Sequence, residues 1–278
     1  MVKIVCWNIA KRSSPWEELL EMDIDIALLQ EGDSATVPPS AETSPYPPDR
    51  TLGYDRWPLV VKLSDKVNIE WFKPVNVAQV SVEPYEVAVS DSNTIAAARV
   101  TPLPDGEPFM VFSMYARWVK PMVKTSWSAG YADASAHRII SDLSAFIGHL
   151  NPASHRILAA GDLNTIYQET RYSLQPRDTT VFDRMEALGL VFIGPRWPNA
   201  DRQANPVPPG LPSDTENVPT YLSAQQMKGM RSTGALIGHQ LDYVFASKGF
   251  DQNITVHAMN DPAQWGSSDH CRILIGVQ

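Results

Sequence analysis

The sequence predicts an α/β protein in which two β-sheets pack face to face with helices on the outside. Three observations carry this expectation. About ten apolar runs have strand length and are rich in β-branched or aromatic residues. Only three stretches have helical periodicity. The two kinds of element are mixed along the chain rather than segregated, and no internal repeat or linker separates independent cores, so residues 1–278 are expected to form one domain.

In chain order, the expected strands begin with "KIVCWNI" (3–9), "IDIALLQE" (24–31) and "PLVVKL" (58–63). "NVAQVSV" (76–82), "NTIAAARV" (93–100) and "FMVFSMY" (109–115) follow, then "HRILAAGD" (155–162) and "LVFIG" (190–194). The last three are "QLDYVFAS" (240–247), "NITVHAM" (253–259) and "CRILIGV" (271–277). "SSPWEELLEM" reads as a helix, with Ser14 at the N-cap, Pro15 at the first helical position and Glu17 closing a capping box. "DASAHRIISDLSAFIGHL" places Ile139, Leu143, Phe146, Ile147 and Leu150 on one stripe. "DTTVFDRMEALGL" stacks Val181, Phe182, Met185 and Leu188 and stops at Gly189. The proline-crowded stretch 194–219 reads either as a substrate lip or as a surface excursion.

With 44% hydrophobic residues the chain can bury a large core. Its net charge of -8 argues against strong duplex binding, which rests on Lys and Arg neutralising phosphates. Two cysteines, Cys6 and Cys271, do not make a disulfide framework; Cys6 reads as buried and Cys271 as partly buried. The chain opens on a strand rather than on a signal-like segment, and no apolar run has the length of a membrane span. A soluble cytoplasmic protein with no obligate protein partner is expected.

Polar residues close these apolar strands repeatedly. Asn8 ends "VCWN", Glu31 ends "ALLQE", Tyr115 ends "FSMY", and Asp162 and Asn164 end "ILAAGDLN". Asp242 opens its strand, and Asp269 and His270 precede the last one. One such ending is an ordinary strand terminus, whereas the recurrence of acids, amides and a His suggests a shared site. Carboxylates and amides without a Cys or His cluster form a hard oxygen-donor set suited to Mg²⁺ or Mn²⁺, and metal-assisted phosphoester hydrolysis follows as the expected chemistry.

The motifs "CWNI", "LLQE", "GDLNT", "LDYVFAS" and "SSDH", in this order along the whole chain, resemble the endonuclease/exonuclease/phosphatase superfamily. That superfamily includes DNase I-like and exonuclease III-like nucleases, deadenylases, inositol-polyphosphate phosphatases and sphingomyelinases. The resemblance implies a four-layer αββα sandwich and a divalent-metal hydrolase. It implies that Glu31, with Asn8 and Asp269, holds metal. It further implies that Asp162 and Asn164 orient water and stabilise the transition state, that Asp242 bonds the catalytic His270, and that Tyr115 contacts phosphate. After Tyr115 the chain reads "YARW", a departure from the abasic-endonuclease pattern.

Arg117, Trp118, Lys120 and Lys124, with Trp127, form a local basic-aromatic cluster, read either as a phosphate contact or as a solvated loop. His137 and Thr220, the latter with Tyr221, stand where the resemblance implies substrate contacts. Trp16 and Trp71 are expected to fill cores; Trp118, Trp127, Trp197 and Trp265 lie in loops that could line a groove. The expected function is a phosphodiesterase, most simply a nuclease on DNA or RNA. A phosphatase or phosphodiesterase of a small or lipid-derived phosphoester is the alternative, followed by an inactive binding module.

Overall fold

The computed structural model describes residues 1–46, 56–76, 85–90, 94–117, 131–148, 154–167, 176–197, 216–233 and 238–278. Strands β1 (Val2–Asn8), β2 (Ile26–Gly32), β3 (Glu42–Thr43), β4 (Trp57–Lys62), β13 (Ile254–Ala258) and β14 (Ile273–Val277) build the first sheet, in the order β13-β14-β1-β2-β4-β3. The second contains β5 (Val67–Trp71), β8 (Ile95–Pro102), β9 (Phe109–Tyr115), β10 (Ile157–Asp162), β11 (Leu190–Gly194) and β12 (Asp242–Ser247), ordered β11-β12-β10-β9-β8-β5. A two-stranded ribbon pairs β6 (Lys73–Asn76) with β7 (Glu86–Val89). The helices are α1 (Ser14–Glu21), α2 (Tyr131–Ile147), α3 (Pro176–Ala187) and α4 (Ala224–Thr233).

The layering follows from the period-two alternation of strand side chains. On β1 and β2, Ile4, Cys6, Ile26 and Leu28 face the second sheet, where they meet Val100, Phe109, Val111, Leu158, Ala160 and Val244. The alternate residues Val5, Trp7, Ala27 and Leu29 face outward and are covered by Trp16 and Leu19 of α1. On the second sheet, Phe112, Met114, Ile157, Ala159, Tyr243 and Phe245 point outward under Ile139, Ile140 and Leu143 of α2 and Val181, Phe182 and Met185 of α3. Each large side chain so buried contributes about 1.5–3 kcal/mol. The result is two mixed six-stranded sheets between helices, the expected αββα order.

Several local expectations are corrected. The cap of α1 is Ser13, not Ser14, and its hydroxyl makes no capping bond, so Pro15 and packing start this helix without a capping box. Helix α3 begins at Pro176, ahead of Asp178. Helix α4, strand β5 and the β6–β7 ribbon were not anticipated. Cys271 is fully buried, and Trp265 is 1% exposed in a small core with Met227 and Met230 of α4, so it lines no groove. Most of the expected strand 76–82 and of the stretch 194–219 lies outside the described residues, as do Trp118, Lys120, Lys124 and Trp127. Among the described residues no helix is long and apolar enough to cross a membrane.

Candidate active site

Strand register gathers the polar strand ends at one rim of the sandwich. In the second sheet β9 and β10 run parallel with Tyr115 opposite Asp162, and antiparallel β12 sets Asp242 opposite Asp162 from the other side. Three functional groups therefore stand in a row. In the first sheet β1 and β2 are parallel with Asn8 opposite Gln30, which brings Glu31 to the same rim. Strand β14 is antiparallel to β1, with Cys6 opposite Ile273, so the residues entering β14 pass the residues leaving β1. Trp7 Nε1 donates to the His270 carbonyl at 2.9 Å and Ser268 Oγ donates to the Asn8 carbonyl at 2.6 Å, which fixes that entry segment.

Backbone geometry sharpens the placement. Gly161 lies so close to β9 that a Cβ there would sit 1.9 Å from the Met114 carbonyl oxygen, which explains the glycine before Asp162. Glu31 and Asn164 have φ of +52° and +49°, left-handed conformations that non-glycine residues adopt at an energetic cost and that cluster at functional sites. In both cases the turn directs the side chain into the rim.

Three side-chain bonds cross from sheet to sheet. Asn8 Nδ2 donates to Asp162 Oδ2 at 2.9 Å, Tyr115 OH donates to Glu31 Oε1 at 2.8 Å, and His270 Nδ1 bonds Asp242 Oδ2 at 2.8 Å. A fourth, deeper link joins Gln30 Nε2 to Ser113 Oγ at 3.0 Å. Asp162 also accepts from the Asn164 backbone N–H at 2.8 Å, and His270 Nε2 stands 3.9 Å from Asp162 Oδ2. Thr220 is fully buried, and its hydroxyl accepts from the backbone N–H groups of Leu241 (3.0 Å) and Asp242 (3.1 Å), holding the start of β12 rather than facing the cleft.

The electrostatics separate acid from base. Burial works against a charge on His270, but the charge and hydrogen bond of Asp242, with Asp162 and Asp269 nearby, prevail and lift its pKa to about 9. This favours the imidazolium form, with Nδ1 held by Asp242 Oδ2. Burial, reinforced by Asp242, pushes the Asp162 carboxyl above the usual carboxylate range against the pull of His270, Asn164 and Asn8. A raised pKa makes the ionised carboxylate a stronger base while keeping more of it protonated near neutral pH.

The donor set fits a hard cation. Glu31 and Asp269 offer carboxylate oxygens to the cleft, while the Asn8 amide is buried beneath it with Nδ2 on Asp162 and Oδ1 accepting from the Ala10 N–H at 2.9 Å. No cysteine lines the cleft among its described residues, and His270 is held by Asp242 through Nδ1. Glu31 already gathers two donors, Tyr115 and the guanidinium of Arg56, as a carboxylate in want of positive charge does. Asp162, Asp242 and His270 also lie within 4.8 Å of one another, joined by the hydrogen bond of His270 Nδ1 to Asp242 Oδ2.

A cleft of about 460 Å³ opens over these groups, lined by Glu31, Asp162, Asn164, Asp269 and His270 together with Arg12, Arg56 and Tyr221. Sequence patterns did not single out the last three as site residues, although Tyr221 follows the Thr220 that they flagged. The Tyr221 ring lies 4.9 Å from the imidazole of His270. Two expected contacts lie elsewhere: Arg117 is buried, with its backbone N–H on Ser135 Oγ at 3.0 Å, and His137 Nδ1 meets Arg184 Nη1 of α3 at 2.8 Å.

The fold is shared with solved structures along its whole length. An AP endonuclease from Leishmania major aligns with a TM-score of 0.65 at 17% identity, over 100% of this chain and 88% of that chain. The endonuclease domain of TRAS1, a telomere-specific non-LTR retrotransposon, aligns at 0.61 and 14%, over 100% and 99%. A mannosyl-6-phosphatase from Bacteroides thetaiotaomicron aligns at 0.58 and 11%, over 100% of both chains. At such identities the likeness is one of fold. No curated protein sequence matches the chain. The sequence model of the endonuclease/exonuclease/phosphatase family matches residues 5–270, and with nearly its whole length so matched the chain belongs to that family of phosphoester hydrolases.

Proposed function

We propose that this chain, acting as one domain, is a divalent-metal-dependent phosphodiesterase whose substrate is nucleic acid. The observation that carries the proposal is the buried Asp242–His270 pair facing Asp162 across 3.9 Å, a cationic donor set against a raised carboxyl. Asp162, aligned by Asn8 and Asn164, accepts a proton from the attacking water. His270, kept protonated and oriented by Asp242, donates from Nε2 to a phosphoryl oxygen as charge builds there. Asn164, whose Nδ2 donates to the Ala116 carbonyl at 2.8 Å and to Asp162 Oδ2 at 3.2 Å, would turn the second of these donors to the phosphoryl group when Asp162 takes up the water's proton, and Tyr115 orients Glu31. Glu31, with Asn8 and Asp269, would hold Mg²⁺ or Mn²⁺, which supplies Lewis-acid neutralisation of the phosphoryl oxygens.

One observation favours a second reading, a small phosphoester substrate. The cleft arginines Arg12 and Arg56 each lie beside a carboxylate, Asp269 and Glu31, and the whole chain carries -8. The mannosyl-6-phosphatase, which has a similar fold, supports keeping such a substrate class as the alternative. The test is a panel of single- and double-stranded DNA, RNA, bis-nitrophenyl phosphate and sugar phosphates, each with Mg²⁺ or Mn²⁺. Metal-dependent cleavage of DNA or RNA, lost in Asp162→Asn and His270→Ala, supports the proposal. Turnover of sugar phosphates alone supports the second reading, and turnover unaffected by both substitutions refutes the site.

A further inference from the structure

Arg56 enters the cleft from the residue before β4. Its Nη1 donates to Glu31 Oε2 while the Tyr115 hydroxyl holds Oε1, so both oxygens of this carboxylate carry a donor. The two donors differ in kind. Tyr115 is 3% exposed and comes from the opposite sheet, whereas 46% of the Arg56 side chain is open to solvent. An ion pair as open as this one shifts an equilibrium by no more than about fivefold, so a divalent cation displaces it readily. Once displaced, the guanidinium is repelled by the ion and stands at the mouth of a cleft that receives phosphate. Its planar fork matches phosphate oxygens as well as it matches a carboxylate. The neutral hydroxyl of Tyr115 and the φ of +52° keep Glu31 in place throughout.

We propose that Arg56 exchanges partners: it neutralises Glu31 in the metal-free protein, yields that carboxylate to the divalent cation, and then binds the substrate's phosphate group. The inference rests on the metal-dependent reading above and assigns to Arg56 a role that no motif in the chain marks. It makes two predictions of opposite sign, which a structural salt bridge does not. Arg56→Gln should bind Mn²⁺ about two- to fivefold more tightly, because the competing cation is gone. The same variant, loaded with Mn²⁺, should bind inorganic phosphate at least about tenfold more weakly, because a charge-assisted hydrogen bond is lost.

Isothermal titration of the full chain measures both, with Mn²⁺ alone and then with inorganic phosphate at saturating Mn²⁺. Arg56→Lys keeps the charge without the fork; it should leave Mn²⁺ affinity near that of the unsubstituted protein and recover part of the phosphate binding. Melting temperatures confirm that each variant is folded. Unchanged or weaker Mn²⁺ binding in Arg56→Gln overturns the exchange, and so does unchanged phosphate binding. Glu31→Gln separates the two levels of the proposal: if it binds Mn²⁺ as the unsubstituted chain does, the metal site itself is wrong and the exchange falls with it. If Glu31→Gln loses Mn²⁺ and Arg56→Gln behaves as the unsubstituted chain does, only the exchange is wrong.

Discussion

Replacing Gly161 by alanine adds one methyl group and should damage both stability and activity. The added Cβ would meet the Met114 carbonyl oxygen at 1.9 Å, its carbonyl carbon at 2.7 Å and its nitrogen at 2.8 Å. Ordinary Cβ contacts lie at 3.4–4 Å, and all three obstacles are backbone, so no rotamer change relieves them. Strands β9 and β10 must therefore part by more than an ångström at the pair Gly161–Met114, next to the pair Asp162–Tyr115. Overpacking in a core costs about 1–3 kcal/mol, and each weakened ladder bond adds about 1 kcal/mol, for a total of about 3–5 kcal/mol. For a chain of this size that corresponds to a fall in Tm of about 5–9 °C. Asp162 and Tyr115 move with their strands, so turnover should fall by more than the folded fraction does. Thermal unfolding by circular dichroism, paired with bis-nitrophenyl phosphate hydrolysis well below Tm, reads both effects. A variant melting within about 2 °C of the unsubstituted protein would refute the steric reasoning.

Thr220→Val, matched in shape, should destabilise the fold by about 2–4 kcal/mol by stranding the N–H groups of Leu241 and Asp242, measured by urea unfolding. His270 has a pKa of about 9, above its usual 6.5, so its contribution to stability is complete below about 6.5 and is lost as pH rises through about 9. The rate constant kcat should fall over the same alkaline window, and Asp242→Asn should move that limb down by about 2 pH units or more in a pH–rate profile. Glu31→Gln should keep the fold, measured as Tm, and lose most metal-dependent turnover at limiting Mg²⁺. With Arg12 and Arg56 as the cations lining the described cleft, log affinity of an Asp162→Asn variant for DNA should fall with log salt at a slope of about -2.

The core of this fold was legible because its strands are almost purely apolar. "KIVCWNI" and "HRILAAGD" bury both faces, and nothing else in the chain competes for those positions. Strand β5, "VNIEW", was hidden by Asn68 and Glu70 on its solvent side, and β6, "KPVN", by a proline and three partly or fully exposed positions. Helix α4 carries Gln, Lys, Gly, Ser and Thr and is held by two methionines against Trp265, a tertiary contact without a local signal. In the site, Asn8, Glu31, Asp162, Asp242 and His270 stood out because acids, amides and a His recur at the ends of apolar strands, where one alone would be ordinary. Arg12 and Arg56 did not, since an arginine in a loop is unremarkable until folding sets it beside a carboxylate. The same holds in reverse for His137 and Arg117, whose partners were fixed by helix packing rather than by the rim.

The three side-chain bonds at the rim each join one sheet to the other, so the apolar layer beneath them acts as a spacer that sets their lengths. Phe109, Val111, Leu158 and Val244 face Ile4, Cys6, Leu28 and Ile275 in that layer, and the volume they fill determines how far apart the two sheets stand. A substitution there that lets one sheet slide or settle by half an ångström would stretch all three bonds together, while leaving each sheet's own hydrogen bonds intact. Turnover is thus expected to depend on core volume at a distance, and a conservative change such as Leu158→Val should lower kcat for bis-nitrophenyl phosphate more steeply than it lowers the melting temperature.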